Sequence, residues 1–595
     1  MKAEILERLK EIAQKLGLDE QGIRLAYPDN PAHGDFSTNI AMVGARKLGM
    51  SPQSLAGKIV AEFGRSMPPA VAKVFIAGPG FINFSVRDEA FARTVIRMRA
   101  PAALHSRSAA RNSLARKIII EYTDPNTFKV FHIGHLMSNA IGESLSRLIE
   151  YSGAETIRMC YTSDIGLHIA KAVWAIQKHR DEMPRDAAPI AERTDFLGKM
   201  YVEGTKAYEE DPAAKDDIEV LNRLLYERSS KDVNALYEKG RKWSLDHFDM
   251  LYARLGTKFD ETLFESDMAP VGLSIVKEFL TKNVFQMSEG AVVFRGEDYG
   301  LHTRVFVNAL GLPTYEAKEI GLNTSKFQSH PDLERSIIVT ASEQNDYFRV
   351  LVKALSLIDQ NVGAKTMHIG HGMMRFASGK MSSRTGNVVT AESLISDIKE
   401  MVKQKIADRK FEPEEATEIS DAIAIGAIKY SILRTSIGSD IIFDSAASIS
   451  FEGDSGPYLQ YSVVRANSVL EKAHVTSNKS QGESHTSKVA GDMLDLVGDE
   501  SGVSEIKLPD KVGSLEKLLS RFADVVERAQ AEYAPQLVAN YLVSLAGEFN
   551  SFYASQTIID EHDPLSPYRV ALTRAFTNVM TDGLWLLGIT VPKRM

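Results

Sequence analysis

Two histidines lie three residues apart in Pro125-Asn-Thr-Phe-Lys-Val-Phe-His-Ile-Gly-His135, where a short apolar run gives way to a helical repeat. The free N–H groups and dipole of a helix start favour a phosphate. His132 and His135 could each donate to phosphate oxygens, and Gly134 between them removes a side chain so that a flat base can approach the backbone. The same residues could equally be surface or capping histidines. A second copy, His368-Ile-Gly-His371, ends a predicted strand with no helix beginning at its histidines, and a structural role is expected for it. It leads into Gly379-Lys-Met-Ser-Ser-Arg-Thr-Gly386, a polar loop flanked by glycines. There Lys380 can neutralise a leaving pyrophosphate, and Ser382 and Ser383 can donate to phosphate oxygens. Neither motif is specific alone; their pairing in one chain is.

The elements that must position these residues follow from hydrophobic periodicity. Lys117-Ile-Ile-Ile-Glu-Tyr122 is β-branched and nearly all apolar, the pattern of a strand covered on both faces. Leu136, Ala140, Ile141, Leu145, Leu148 and Ile149 then recur at helical spacing, and Gly153 marks the stop. Ile157–Tyr161, Ala291–Phe294, Ile337–Thr340 and Met367–Ile369 are further strand candidates separated by helical patterns, which favours a doubly wound sheet. The charged helical stretch from about 178 to 266 reads as an insertion between two halves of that sheet. Before it, residues 1–100 read as a compact α+β appendage, with Ile5, Leu9, Ile12 and Leu16 on one helical face; an Ala, Ser and Arg-rich linker follows at 101–116. From 397 to 595 the signals are almost wholly helical and imply a bundle, interrupted by a polar insertion at about 475–504.

The chain has 595 residues, 44% hydrophobic and 25% charged, which excludes bulk disorder and coiled coil and implies several domains. No apolar run approaches the roughly 18 residues needed to cross a bilayer, so a cytoplasmic protein with no membrane contact is expected. The single cysteine, Cys160, excludes an intramolecular disulfide framework and a Cys-cluster zinc site. With 70 basic against 78 acidic residues there is no general basic coat, and any nucleic acid must meet local basic faces.

HIGH after the first strand and KMSS after the last resemble the double signature of class I aminoacyl-tRNA synthetases. Other stretches resemble arginyl-tRNA synthetases in particular. Glu121-Tyr-Thr-Asp-Pro-Asn126 is similar to the family's lead into HIGH, and Thr314-Tyr-Glu-Ala-Lys-Glu319 to its Thr-Tyr-x-x-x-Asp arginine-binding segment. Phe451–Tyr461 and Leu587–Met595 resemble the helical anticodon domain, and Gly34–Met42 with Ala77–Gly80 the extra N-terminal tRNA-binding domain. The resemblance implies a Rossmann-type doubly wound parallel sheet at 117–396 between an N-terminal α+β domain and a C-terminal all-α helical bundle. It implies an arginine–tRNA ligase, in which L-arginine and ATP form arginyl-adenylate and pyrophosphate, and arginine passes to the terminal adenosine of tRNA(Arg). Mg2+ bound with ATP, no protein-held structural metal and a monomer are expected.

By the same resemblance His132, His135, Lys129 and Lys380 are catalytic, and Gly134, Met381, Ser382 and Ser383 join the histidines at ATP. Glu265, Tyr315 and Glu319 surround the guanidinium, with Glu121, Asn126 and Gln344 completing the arginine site. Tyr458, Tyr461 and Arg465 are candidate tRNA contacts. The chain departs from the family in three places: Glu319 stands for the more usual Asp, Met137 follows HIGH where Arg is common, and Ser163-Asp-Ile-Gly-Leu-His168 replaces a Gly-Asp-Trp-Gly pattern. Two other readings compete. A smaller nucleotidylyltransferase also carries an HxGH motif, but the helical C-terminal domain and full KMSS context argue against it. A non-catalytic RNA-binding paralogue would have no need of His132, His135 and Lys380.

Overall fold

The computed structural model describes residues 1–20, 22–28, 30–98, 116–377, 389–480 and 506–595. Lys380, Met381, Ser382 and Ser383 lie outside the described residues, as do most of the expected linker and of the 475–504 insertion. The chain divides into two compact units, one of Met1–Ala102, Ala466–Phe522 and Gly547–Val579, the other of Ala103–Arg465, Ala523–Ala546 and Met580–Met595. No helix among the described residues is long and apolar enough to cross a membrane.

In the first unit, helices Lys2–Leu16, Pro52–Arg65 and Asp88–Met98 pack on an antiparallel sheet ordered Phe36–Thr38, Phe81–Val86, Val71–Ala77. Ile5, Leu9 and Ile12 are fully buried in its core with Phe63 and Phe84. The three-residue strand at Phe36 is too short to leave an alternating pattern in the sequence.

The second unit is built on five parallel strands in the order Thr366–His371, Leu333–Ala341, Lys117–Tyr122, Glu155–Thr162, Glu261–Phe264. Two sequence expectations are corrected here. Ala291–Phe294 is not in this sheet but is the middle strand of a separate antiparallel one, between Gln286–Ser288 and Arg304–Val307. Its apolar run fits either environment, because strand burial alone does not reveal the partner. The helical stretch expected over 178–266 ends at Leu255, and Glu261–Phe264 supplies the fifth parallel strand. That strand is short and only half-buried, so it carries little apolar signal.

The helix Ile133–Tyr151 is tied to both central strands at its start. Ser138 Oγ accepts from Thr123 N at 3.0 Å and donates to Val339 O at 2.7 Å. A Cβ at Gly142 would stand 2.2 Å from the Tyr122 ring, so helix and strand approach as closely as backbone allows. The far end is tied to the last segment of the unit: Ser144 Oγ donates to Leu586 O and Arg147 Nη1 to Trp585 O, both at 2.8 Å. Beside them Lys429, 1% exposed, donates to Leu255 O at 2.6 Å and to Gly588 O at 2.7 Å.

Burial, and then repulsion from the Arg147 guanidinium, pulls the Lys429 ammonium down from 10.5 to about 7. Above pH 7 the unfolded chain therefore holds a proton that the folded one has released, so stability should rise with pH toward 10.5. The slope is at most about 1.4 kcal/mol per pH unit. In Lys429→Met this component should disappear from denaturant-unfolding midpoints measured between pH 7 and 9; an unchanged slope would mean that Lys429 stays charged when buried.

Candidate functional site

In a doubly wound sheet, ligands bind at the carboxyl ends of the strands, where the order reverses between the first strand and its neighbour. Here that point lies between Lys117–Tyr122 and Leu333–Ala341. Four of the segments singled out from the sequence leave the sheet on this edge. The HIGH loop follows Tyr122, Ser163 and Asp164 follow Thr162, Glu265 follows Phe264, and Gln344 follows Ala341.

The loop after Tyr122 is strained, with φ of 80° at Thr123, 44° at Asp124 and 63° at Phe128, values that non-glycine residues rarely adopt. Asp124 Oδ1 accepts from Tyr161 N at 2.7 Å, and Phe128 N donates to Ser244 Oγ at 2.9 Å, which holds the loop in place. It delivers His132 to the N-cap of Ile133–Tyr151. Gly134 N donates to His132 Nδ1 at 3.1 Å, and His132 N donates to His135 Nδ1 at 3.3 Å. The two rings stack with centroids 3.7 Å apart. The capping reading is thus correct, and it fixes the chemistry. Burial first, then the nearby positive charge of Lys129, lowers the pKa of His132; burial and then His132 hold His135 well below the usual range. A neutral imidazole whose Nδ1 is an acceptor carries its proton on Nε2. Both histidines therefore keep an Nε2–H to donate elsewhere. Gly134 is needed first for the His132 ring, since a Cβ would stand 2.9 Å from His132 Cε1.

Deeper in the edge is a cluster of buried charge. Helices Glu265–Thr281 and Tyr315–Ser329 cross in backbone contact, because a Cβ at Gly272 would meet Ala317 O at 1.8 Å and one at Gly321 would meet Met268 O at 2.6 Å. This crossing brings Glu265 against Lys318, and the two side chains, each 4% exposed, form an ion pair. Lys318 Nζ lies 4.4 Å from the Tyr315 ring centroid, and the hydroxyl of Tyr226, on the helix Pro212–Glu227, is near enough to feel the same ammonium. One step further Glu121 pairs with Lys326, again buried. Among the described residues Glu319 accepts from an amide, Asn323 Nδ2 at 3.1 Å. Burial, and next the charge of Glu121, pushes Glu319 up to about 8 and holds Asp124 well above the carboxylate range. Asp164, fully buried, accepts from Arg241 Nε at 2.8 Å and from Ser266 N and Oγ at 2.9 Å; it caps the helix that begins at Glu265.

Polar hydrogens and lone pairs are left over around this cluster. Tyr161 Oη, His168 Nε2 and Tyr347 Oη are buried without a hydrogen-bond partner, and both tyrosines feel the charges of Glu265 and Glu319. Buried polar atoms are nearly always satisfied, so this concentration suits a polar ligand. Its charge balance suits a cation.

Tyr315, Glu319, Glu265 and Glu121 are therefore brought together, with Glu265 and Glu121 already engaged by lysines. Asn126 bridges to Ser163 at the rim, and Gln344 is exposed at the start of the helix Asn345–Ile358. Lys129 lies 4.8 Å from the Tyr201 ring centroid of the helical insertion. Tyr458, Tyr461 and Arg465 sit apart on the helix Gly456–Ser480, where Arg465 and Arg409 flank the Tyr461 ring at 4.8 and 5.8 Å. The second HIGH copy is engaged within the fold: His368 stacks on Phe348 at 4.1 Å and bonds Thr340, and His371 bonds Gly372 O. Sequence reading missed Lys318, Lys326 and Tyr226. A signal existed for Lys326, which continues the helical face of Tyr315, Glu319 and Asn323 as a polar stripe on a buried helix.

Residues 100–445 match the family described as tRNA synthetases class I (R), catalytic domain, residues 459–595 the DALR anticodon binding domain, and residues 1–86 the arginyl tRNA synthetase N terminal domain. An arginine–tRNA ligase of Bacteroides fragilis is 30% identical over 94% of each chain, and one of Clostridium perfringens 28% over 99%. The fold is similar to Thermus thermophilus arginyl-tRNA synthetase, with a TM-score of 0.76 and 21% identity over 100% of both chains. The Plasmodium falciparum arginyl-tRNA synthetase gives a TM-score of 0.76 at 18% identity, over 100% of this chain and 99% of that one.

Gly→Ala replacements in helices usually stabilise. At Gly134 the reverse is expected: the added methyl displaces the His132 ring, the cap is lost, and stability falls by about 0.5–2 kcal/mol in denaturant unfolding.

Proposed function

Because the chain belongs to the arginyl-tRNA synthetase family and is an arginine–tRNA ligase acting on arginine, ATP and tRNA, we propose that its guanidinium subsite is centred on Glu319 and Tyr315. The observation that carries this reading is the surplus of buried acid. Glu121 and Glu265 are matched by lysines, whereas Glu319 accepts a hydrogen bond from the neutral Asn323 amide, and burial beside Glu121 pushes its carboxyl up to about 8. A guanidinium supplies the missing charge in planar, paired form and lies flat against an aromatic ring. Glu121 and Glu265 border the subsite, and Asn126 and Gln344 hold the α-amino and carboxylate end.

The arginine carboxylate then attacks the α-phosphate of ATP and pyrophosphate leaves. The 2′-hydroxyl of the terminal adenosine of tRNA takes the arginyl group in the second step. Positioning and charge stabilisation suffice for the first step. His132 and His135 donate through Nε2–H, neutral donors that neither consume nor release a proton as charge develops on phosphate. Lys129, and Lys380 from the KMSS loop with Met381, Ser382 and Ser383, face the leaving pyrophosphate, and Mg2+ arrives with ATP as part of the substrate. Tyr461 between two guanidinium groups, with Tyr458 and Arg465, offers a stacking surface to RNA.

Aminoacylation with arginine, ATP and total tRNA tests the activity, and Glu319→Gln tests the site. The variant should raise the arginine KM roughly 10- to 100-fold, the worth of a charged hydrogen bond of about 1.5–3 kcal/mol, and leave the ATP KM in place. An unchanged arginine KM removes Glu319 from the pocket. The pH dependence has a definite sign. Below about 8 Glu319 must lose its proton before a guanidinium can pair with it. Arginine binding should therefore tighten as pH rises through 8 and release protons at pH 7, read by calorimetry in buffers of different ionisation heat.

A further inference from the structure

We propose that Lys318 is a specificity-determining residue of this enzyme: by pairing with Glu265 it takes up a carboxylate that a compact substrate ammonium would otherwise use, and so turns away lysine and ornithine in favour of arginine. The inference rests on the arginine subsite proposed above.

Lys318 precedes Glu319 on the same helix, and its ammonium points into the cluster from within. It meets what a bound ammonium needs: the Glu265 carboxylate, the Tyr315 face at 4.4 Å and the Tyr226 hydroxyl. Burial opposes its charge, but Glu265 more than offsets this, so the cation is a fixed part of the pocket. A lysine ammonium is a small, strongly hydrated point charge, and giving up its water demands a full set of acceptors. With Glu265 engaged, that set is gone, and a second point charge close by is repelled. A guanidinium spreads its charge over a plane and sheds water more readily. It can pair edge-on with Glu319 and tolerate the fixed ammonium nearby. The two acids with no lysine partner, Glu319 and Asp124, differ in access. Asp124 is turned to the backbone N–H of Tyr161, which leaves Glu319 for the substrate.

The test is a double-mutant cycle on the full-length enzyme, in which arginine kcat and KM and the competitive inhibition constant of lysine are measured in the aminoacylation assay. Lys318→Met should empty an anionic hole and lower the ratio of the lysine inhibition constant to the arginine KM at least tenfold. Lys318→Arg, which keeps the charge, should keep the ratio within threefold. Glu265→Gln leaves a buried ammonium without its carboxylate and should raise the arginine KM about tenfold. Adding Lys318→Met to it removes both charges together and should return the arginine KM to within threefold of the parent. A ratio unmoved by Lys318→Met overturns the proposal. So does a double variant as impaired as Glu265→Gln alone, which would make Glu265 a direct guanidinium ligand. If Lys318→Met does not fold, the Glu265→Gln and double variants decide by themselves. Failure of the subsite reading is separate, since Glu319→Gln would then leave the arginine KM unchanged whatever the cycle gives.

Discussion

More carboxylate than ammonium is buried at the carboxyl edge of the parallel sheet, and the surrounding architecture exists to keep it so. Taking an ion out of water costs several kcal/mol even when it is paired, and an unpaired one more. Glu121, Asp124, Glu265 and Glu319 are all held there against Lys318 and Lys326. Such an arrangement does not stabilise a fold. It persists because neighbouring elements leave it no room to relax: two helices in backbone contact at Gly272 and Gly321, an insertion helix that lends Tyr226, and Asp164 locked to Arg241 and Ser266. The excess shows at Glu319, pushed up to about 8, and at Asp124, held above the usual carboxylate range.

The phosphate-side chemistry is built by a different device. The N-terminus of Ile133–Tyr151 uses its own histidines as caps, and the cap fixes their tautomers. One set of hydrogen bonds therefore both caps the helix and leaves each histidine an Nε2–H. Burial lowers the pKa of both, helped at His132 by Lys129 and at His135 by the His132 ring stacked 3.7 Å away. Neutral donors thus stand at the helix start and fixed charges lie deeper in the edge.

Much of this was legible from residue order alone, and the exceptions have physical causes. Lys117–Tyr122 and the helix after it announced themselves because a strand buried on both faces and an amphipathic helix leave opposite periodicities. The fifth strand, Glu261–Phe264, was read as part of a helical insertion because a half-buried edge strand of four residues has no period to detect. Ala291–Phe294 was assigned to the wrong sheet because local pattern does not encode partners. Glu265, Tyr315 and Glu319 could be reached through motif resemblance, but the lysines that engage Glu265 and Glu121 could not. Which charges face one another depends on a helix crossing set by two glycines, and a glycine in a sequence does not say what it lets through.

The ties at the far end of Ile133–Tyr151 bear on how such enzymes can be shuffled. Family resemblance divides the chain near residue 459, yet Met580–Met595 belongs to the same compact unit as the sheet. Three carbonyls of that stretch, on Trp585, Leu586 and Gly588, accept across that division from Arg147, Ser144 and Lys429. A recombination event at the apparent seam would hand Ser144, Arg147 and Lys429 a foreign set of acceptors. The two halves must consequently be inherited together, or exchanged only with relatives whose closing segment presents its carbonyls in the same places.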